Sequence, residues 1–310
     1  MLTRLTRRRR ASRLCENAHM PNTHAGQTDR VGHTPFVDLT PPGDPVAHRY
    51  GEPGGTGGTI LPPTIELQLN HRSVRKFLTE PVSDAQIDLV ITAAQSASQS
   101  SNLQVWSVVA VRDDDRKRRI SAAIGRQSYV EDSSVFLVWV ADFRRAANVA
   151  EAQGASAETL GYIENTLVTA VDSGIAAQNA LLAAESLGLG GVFVGALRSN
   201  PAAIIQELGL PDYTFPLFGV ALGYPDPSER AGIKPRLPRT AVLHQERYDP
   251  TAWLAAAEVY EDRLQEYFAE HGRDNYSWAD TLTKRISTVD GLHGRDSIRG
   301  ALEAQGFASE

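Results

Sequence analysis

The feature that most constrains the fold is a long helical stretch from about Ala157 to Leu187, rich in Ala, Leu and Ile. Small apolar residues occupy several of its faces at once, a pattern that predicts a helix buried on all sides. In a chain of 310 residues such a helix crosses the core or packs against a second subunit, so we expect a homodimer. Gly188, Gly190 and Gly191 end the helix, and residues 192–197 are predicted to form a strand.

Apolar periodicity and capping signals define the other elements. Ser83, with Gln86 three residues later, forms a predicted capping box that begins a helix running to Ala97. Helices outnumber strands and the two are mixed in order, which predicts an α+β fold with a mixed, largely antiparallel sheet flanked by helices. Further strands are predicted at 105–111, 134–143 and 215–225, and further helices at 64–72, 114–124, 201–209 and 250–271.

The first 58 residues are rich in Arg, Gly and Pro and show no helical or strand period, so they are predicted to be a disordered tail preceding a folded domain at 59–310. Four consecutive arginines at 7–10 resemble the start of a secretory signal, but no apolar segment follows them. Three interpretations stay open: a tail of little consequence, a true start at Met20, or a basic arm that contacts nucleic acid or membrane phosphates.

The charge, the cysteine count and the absence of certain motifs argue against several classes of function. The net charge is −6, and without the six arginines between residues 4 and 13 it would be about −12, which argues against broad nucleic-acid binding by the folded part. The single cysteine, Cys15, excludes an intramolecular disulfide and fits a reducing cytoplasm. We find no uninterrupted apolar run long enough to span a bilayer, no metal-binding histidine pair and no GxSxG elbow. We therefore expect a cytoplasmic protein that binds neither metal, membrane nor nucleic acid.

Cationic residues beside chain breakers are the strongest chemical signal. They occur in LNHRSVRKF at 69–77, at Arg198, and in KPRLPR at 234–239, where prolines stiffen the loop. Arginine offers a planar fork to phosphate oxygens and lysine a point charge. A solvated surface loop is the alternative for any one of these segments. Together with the hydroxyl-rich turn at 96–106, they favour an anion site.

Several blocks in order resemble one family. HRSVRKF with EPVSDAQ, SSNLQ, DSGIAAQNALLAAESLGLGGVFVGALRSN, PLFGVALGYP and KPRLPRTAVLHQERY are similar to the oxygen-insensitive NADPH nitroreductase and NADPH-flavin oxidoreductase branch of the nitroreductase family. The resemblance runs from about Pro63 to the C-terminus. It implies an intertwined homodimer with FMN at the subunit interface, and hydride transfer from a reduced nicotinamide to the flavin.

The resemblance also implies the residues that contact FMN. His71, Arg72 and Ser73 are expected near the phosphate and ribityl chain of FMN, and Arg75 towards its isoalloxazine ring. Lys234 and Arg236 are expected at the phosphate, and the backbone of 194–196 at the flavin edge. No catalytic side chain is required, because the cofactor carries the redox chemistry. The implied residues are His71, Arg72, Ser73, Arg75, Gln99, Ser100, Gln127, Tyr129, Val194, Gly195, Ala196, Lys234 and Arg236.

Two positions depart from the family pattern. Gln99 stands where relatives commonly carry serine, and the loop expected to bind the nicotinamide nucleotide offers only His271 and Arg273. NADPH and NADH both stay open as electron donors. The predicted function is an FMN-dependent NAD(P)H oxidoreductase that reduces nitroaromatics, quinones or free flavin by a ping-pong mechanism. The alternative is a flavin-binding or flavin-delivering protein with little turnover of its own.

Overall fold

The fold was analysed in a computed structural model, which describes residues 44–51 and 61–307. Within these ranges the chain forms four strands and eleven α-helices. The strands are β1 (Trp106–Val111), β2 (Val135–Asp142), β3 (Gly190–Val194) and β4 (Thr214–Gly223). The helices are α1 (Pro45–Tyr50), α2 (Pro63–Leu69), α3 (Asp84–Gln95), α4 (Asp114–Ala123), α5 (Ser128–Glu131), α6 (Arg144–Ala152), α7 (Ile163–Ser186), α8 (Pro201–Leu208), α9 (Leu254–Glu270), α10 (Trp278–Ser287) and α11 (Ile298–Ala304).

The strands form one sheet in the order β1-β2-β4-β3, and every pairing between them is antiparallel. The parallel component is a single bridge between Ser73 and Gly191. The predicted α+β class with a largely antiparallel sheet is therefore confirmed. The third strand ends at Val194, three residues earlier than predicted, because Gly195–Ser199 turns into a 3-10 helix.

The central strand β2 is buried on both faces. Leu137 and Trp139 pack into a cluster with α3 and α7, while Phe136 and Val138 pack into a second cluster on the opposite side with Ile120 of α4. Successive strand residues point to opposite faces, so a strand covered on both sides must be apolar at nearly every position. This explains why residues 135–141, VFLVWVA, are all apolar.

One face of α7 differs from the prediction. Ala176, Ala180 and Ala184 are buried against α3 and the sheet. The opposite face is exposed, so the expectation of burial on all sides is wrong within one chain. These alanines let α7 approach its neighbours closely, and Leu181 is buried beside them, whereas four large apolar residues lie on the outer face. The exposed stripe consists of Ile163, Leu167, Val171 and Ile175, with exposed fractions of 54%, 55%, 58% and 42%.

By length and composition, α7 also passes as a candidate membrane span, with a mean hydropathy of 1.3 over its most apolar window. The helix contains no uninterrupted apolar run long enough to span a bilayer, but its charged residues are few enough for the mean hydropathy to reach that of a membrane span. About 44% of that window is buried inside the chain. The core helix of a soluble protein gives the same result, so this finding alone is weak evidence for a membrane.

The predicted disordered tail at 1–58 needs a correction at 44–51. These residues form the short helix α1, which is capped by the Asp44 side chain and ends at Gly51 in the left-handed conformation. The buried side chain of Arg49 attaches α1 to the folded domain. The rest of the predicted tail, with the arginine-rich segment and Met20, lies outside the described residues.

Candidate functional site

The segment that follows α2 is held at the edge of the sheet by backbone hydrogen bonds. Val74 N–H donates to the Gly191 carbonyl of β3 at 3.0 Å, and Leu78 N–H donates to the Tyr224 carbonyl after β4 at 2.8 Å. Gly190 permits this approach, because a Cβ atom there would lie 2.6 Å from Cγ2 of Val74. The segment thus crosses the end of β3 in an extended form.

This segment and the proline-rich loop, which are about 160 residues apart in sequence, line one cleft. The structure therefore brings together the cations predicted from two separate motifs. Tyr267 of α9 and the backbone of 231–232 complete the walls. The predicted residues that line the cleft are His71, Arg72, Ser73, Arg75, Lys234 and Arg236.

Positive charge dominates the cleft. The pKa of Lys234 lies below its ordinary value, first because the ammonium is partly buried and then because Arg75, Arg236 and Arg273 repel it. One carboxylate offsets part of this charge: Glu229 accepts from the Arg75 N–H at 2.9 Å and lies 3.7 Å from the Arg72 guanidinium. Partly desolvated cations that repel one another are stabilised by a bound anion. The cleft therefore suits a phosphate.

His71 is fixed from two directions. Its Nδ1 lies 2.5 Å from Oε1 of Glu185, a residue at the end of α7 whose side chain is 6% exposed. Its carbonyl accepts a hydrogen bond from Arg49 at 3.0 Å. Sequence reasoning missed Glu185, although an acidic residue that follows the apolar stretch ALLAA at the end of a helix is a usable signal.

Tyr267 was also missed. Its hydroxyl donates to the Gly232 carbonyl at 3.0 Å and lies 3.2 Å from the Gly232 N–H, which holds the loop ahead of Lys234 against α9. Burial raises the pKa of Tyr267, so the phenol stays neutral at physiological pH. It can therefore act both as donor and as acceptor at the wall of the cleft.

Gln127 and Tyr129 lie beside the cleft. The Tyr129 hydroxyl donates to Oε1 of Gln127 at 2.6 Å. Burial raises the pKa of Tyr129, while the nearby Arg75 guanidinium lowers it. Arg75, which lines the cleft, is therefore close enough to Tyr129 to influence its ionisation.

The strand β3 leads away from the cleft and ends at Val194, and Gly195 and Ala196 follow it directly. Gly191, opposite Ser73, and Gly195 are four residues apart, about 13 Å in an extended strand. Gly195 faces the Arg198 guanidinium, since a Cβ atom there would lie 3.3 Å from one of its nitrogens. The Arg198 guanidinium itself donates to the carbonyl of Leu217.

Gln99 and Ser100 lie in a tight turn before β1. The Ser100 N–H donates to both carboxylate oxygens of Asp172, at 3.2 and 3.1 Å, and this carboxylate is buried in α7. Gln99 donates its amide to Gln104 at 3.3 Å. These hydrogen bonds attach the turn to α7 and to itself, and not to the cleft described above.

His271 and Arg273 lie next to the cleft, at the end of α9. The His271 ring stacks on Tyr267 with 4.2 Å between ring centres and faces Gly232. Arg273 lies over Phe268, 4.9 Å from the ring centre, and Lys234 lies over the same ring at 5.0 Å. Both residues predicted for the nicotinamide nucleotide are thus neighbours of the cationic cleft in the same chain.

Two family models match the chain. Residues 69–224 match the Nitroreductase family, and residues 234–310 match the Nitroreductase family, C-terminal domain. The cleft is lined by residues from both matched ranges.

Individual relatives agree with the family models. The chain is 40% identical over 250 residues to the FMN reductase [NAD(P)H] of Bacillus subtilis, covering 79% of this chain and 98% of the relative. It is 37% identical over 252 residues to the oxygen-insensitive NADPH nitroreductase of Salmonella typhimurium, covering 80% and 100%. The NADPH:FMN oxidoreductase of Vibrio harveyi, solved with NAD⁺, superposes with a TM-score of 0.71 at 38% identity, covering 80% of this chain and 99% of that one.

Proposed function

The chain belongs to the nitroreductase family, and from this premise we propose that it is an FMN-dependent NAD(P)H oxidoreductase acting on nitroaromatics, quinones or free flavin. Relatives that match almost their whole length to this chain are an FMN reductase, an NADPH-flavin oxidoreductase and an NADPH nitroreductase. The observation that carries the proposal is the convergence of cations from two distant segments on one cleft.

The cleft fits the phosphate of FMN. In this assignment His71, Arg72 and Ser73 bind the phosphate and ribityl chain from one side, and Lys234 and Arg236 bind the phosphate from the other. The lowered pKa of Lys234 supports this assignment, because it reflects repulsion among cations that a bound anion would attract and so relieve. Ser73 adds a hydroxyl donor.

The isoalloxazine ring is assigned to the side towards the end of β3. There Arg75, Gln127 and Tyr129 offer polar groups, and residues 194–196 offer backbone N–H groups. Bound FMN would supply the redox chemistry, a hydride transfer from NAD(P)H followed by reduction of the acceptor. A cation such as Arg75 stabilises negative charge on the ring, and Gly195 allows close approach of the main chain. A ping-pong order follows if donor and acceptor use the same face in turn.

The electron donor is assigned to the end of α9. Arg273 offers a guanidinium fork that suits the 2′-phosphate of NADPH, and His271 offers a ring nitrogen beside Gly232. The V. harveyi oxidoreductase was solved with NAD⁺, and the B. subtilis relative is named FMN reductase [NAD(P)H], which supports a site that accepts both nucleotides. With one arginine in this loop, we expect NADPH to be preferred without NADH being excluded.

A homodimer is part of the proposal. The exposed stripe of α7 places four large apolar side chains in one row, and a second copy would remove them from water. The turn at Gln99 and Ser100 binds α7 rather than the cleft. We assign it to the flavin of the partner subunit, because the family resemblance implies FMN at the subunit interface. A cytoplasmic location remains a prediction that rests on the single cysteine.

Steady-state turnover tests the proposed function. The flavin-free full-length chain should oxidise NADPH in the presence of a quinone or nitroaromatic acceptor only after FMN is added. Riboflavin, which lacks the phosphate, serves as the matched control and should restore far less activity. Equal activity with and without added flavin would contradict the proposal.

A further inference from the structure

The helix α1 is the one described element that lies wholly before the family-matched ranges, which begin at residue 69, and is separated from them by an undescribed stretch. Its sequence carries its own start and stop signals: Asp44 accepts from the N–H groups of Val46 and Ala47, Pro45 occupies the first helical position, and Gly51 closes the helix. A helix of only six residues is not stable alone, so tertiary contacts must hold it.

Arg49 supplies those contacts and is 5% exposed. One guanidinium nitrogen donates to two carbonyls, that of Leu69 at 2.7 Å and that of His71 at 3.0 Å. These carbonyls flank the entry to the cleft segment. Arg49 therefore fixes the backbone from which His71, Arg72 and Ser73 extend.

Arg49 also binds the proline-rich loop, which forms the other wall of the cleft. The Arg49 carbonyl accepts the backbone N–H of Arg236 at 2.8 Å. One residue of α1 is thus hydrogen-bonded, through its side chain, to the His71 segment and, through its backbone, to the proline-rich loop. The spacing between the two walls of the cleft depends directly on the position of Arg49.

A third contact anchors α1 to the domain. Arg263 of α9 donates from its guanidinium to the carbonyl of His48 at 2.5 Å. Its guanidinium also packs on Gly51, where a Cβ atom would lie 2.7 Å from it. Since Tyr267 lies one turn further along α9 and lines the cleft, Arg263 ties α1 to the same framework.

We propose that α1 is a clasp that holds the two halves of the phosphate-binding cleft in register, with Arg49 as its positioning residue. The inference rests on the proposed function, since it concerns the cleft assigned to the FMN phosphate. Loops fixed before binding lose less conformational freedom when they order around a ligand. The charge of Arg49, beside Arg236 and Glu185, adds to the positive potential of the cleft.

The test compares FMN with riboflavin as ligands of the flavin-free, full-length protein, because the two differ only in the phosphate. Replacement of Arg49 by methionine (R49M) should weaken FMN binding about tenfold and riboflavin binding less than about twofold. R49K keeps a donor and the charge and should recover part of the loss. R247M, which removes an exposed arginine, is the control and should bind both ligands as the wild type does.

A merely structural role for α1 would weaken both ligands equally, and that result would overturn the clasp, as would unchanged FMN binding. If R49M does not fold, R263M detaches α1 from α9 without replacing a residue that lines the cleft. It should lower the FMN-to-riboflavin preference in the same direction, and an unchanged preference would overturn the clasp. Wild-type protein that binds neither ligand would instead contradict the proposed function, so the two failures are distinguishable.

Discussion

Nδ1 of His71 and Oε1 of Glu185 are 2.5 Å apart, and they join residues that are 114 positions apart in the chain. Glu185 lies in the last turn of α7, the helix that crosses the core, while His71 begins the segment that lines the cationic cleft. The rigid centre of the fold thus orients the first residue of the candidate phosphate site. Mutations at Glu185 therefore test whether that orientation matters for binding.

Replacing Glu185 by alanine should weaken FMN binding about three- to tenfold, because His71 loses the acceptor that orients its ring. Fluorescence titration of the flavin-free protein measures this. Glu185→Gln is the matched control: its amide oxygen still accepts a hydrogen bond, so binding should stay closer to wild type. Equal losses in the two variants would show that a carboxylate charge, rather than an acceptor, is what the site requires.

Lys234 predicts a pH dependence. Its pKa is lowered from 10.5 by burial and by neighbouring arginines, so the flavin-free protein releases this proton at a lower pH than the unfolded chain does. The repulsion that destabilises the flavin-free fold is therefore present below the lowered pKa and is relieved as pH rises through it. A bound phosphate needs the charged form, so FMN affinity should fall over the same pH window.

Lys234→Arg isolates this effect, because a guanidinium stays charged throughout that window. Its FMN dissociation constant should rise less steeply with pH than that of the wild type. Riboflavin titrations over the same range correct for ionisation of the flavin ring. Superimposable pH profiles of the wild type and Lys234→Arg would rule out Lys234 as the titrating group.

Arg273 predicts a nucleotide preference. Arg273→Met should raise KM for NADPH about tenfold and leave KM for NADH nearly unchanged, because only NADPH carries the 2′-phosphate that a guanidinium can bind in bidentate fashion. Steady-state kinetics with a quinone acceptor measures both values. Arg247→Met is the control, and an equal rise in both KM values would place the Arg273 contact elsewhere.

The apolar stripe of α7 predicts an interface. Leu167→Glu combined with Val171→Lys puts two charges into a row whose members are 55% and 58% exposed in one chain, and should convert a dimer into monomers. Light scattering coupled to size-exclusion chromatography gives the mass directly. Val149→Lys changes an equally exposed apolar residue on α6 and should leave the dimer intact. A wild type that elutes as a monomer would contradict this part of the proposal.

The capping box of α3 predicts a stability change. Oγ of Ser83 accepts the Gln86 N–H at 3.3 Å, and the Gln86 side chain accepts the Ser83 N–H at 3.1 Å. Ser83→Ala should lower the free energy of unfolding by about 1 kcal/mol, while Ser83→Asp, which also caps, should cost less. Urea denaturation measures both. A neutral Ser83→Ala would mean that packing of α3 alone fixes its start.

Elements with a local signal were predictable from the sequence. The capping box at Ser83, the apolar run of β2 and the proline and glycine that bound α8 all act over a few residues, and the structure confirms each. The cations of the cleft were chosen for their neighbours in sequence, and the structure brings those from two motifs together. Their roles towards FMN remain predictions.

Features that depend on tertiary contacts were missed or misjudged. Glu185 matters because it contacts His71, and Tyr267 matters because it contacts Gly232. In each pair the two residues are far apart in sequence. The six residues of α1 are too few to show a helical period, and their stability comes from Arg49 and Arg263 rather than from local propensity. The outer face of α7 was predicted to be buried because apolar residues occur on every face of the helix. The composition of a helix does not determine which of its faces packs against the sheet.

The visible absorbance spectrum of the full-length protein reconstituted with FMN tests the oxidoreductase assignment directly, when it is recorded before and after anaerobic addition of NADPH and, in a separate sample, of NADH. We expect a bound flavin whose oxidised band is bleached by NADPH and more slowly by NADH. A protein that binds FMN but is bleached by neither nucleotide would contradict the oxidoreductase assignment and favour a flavin carrier.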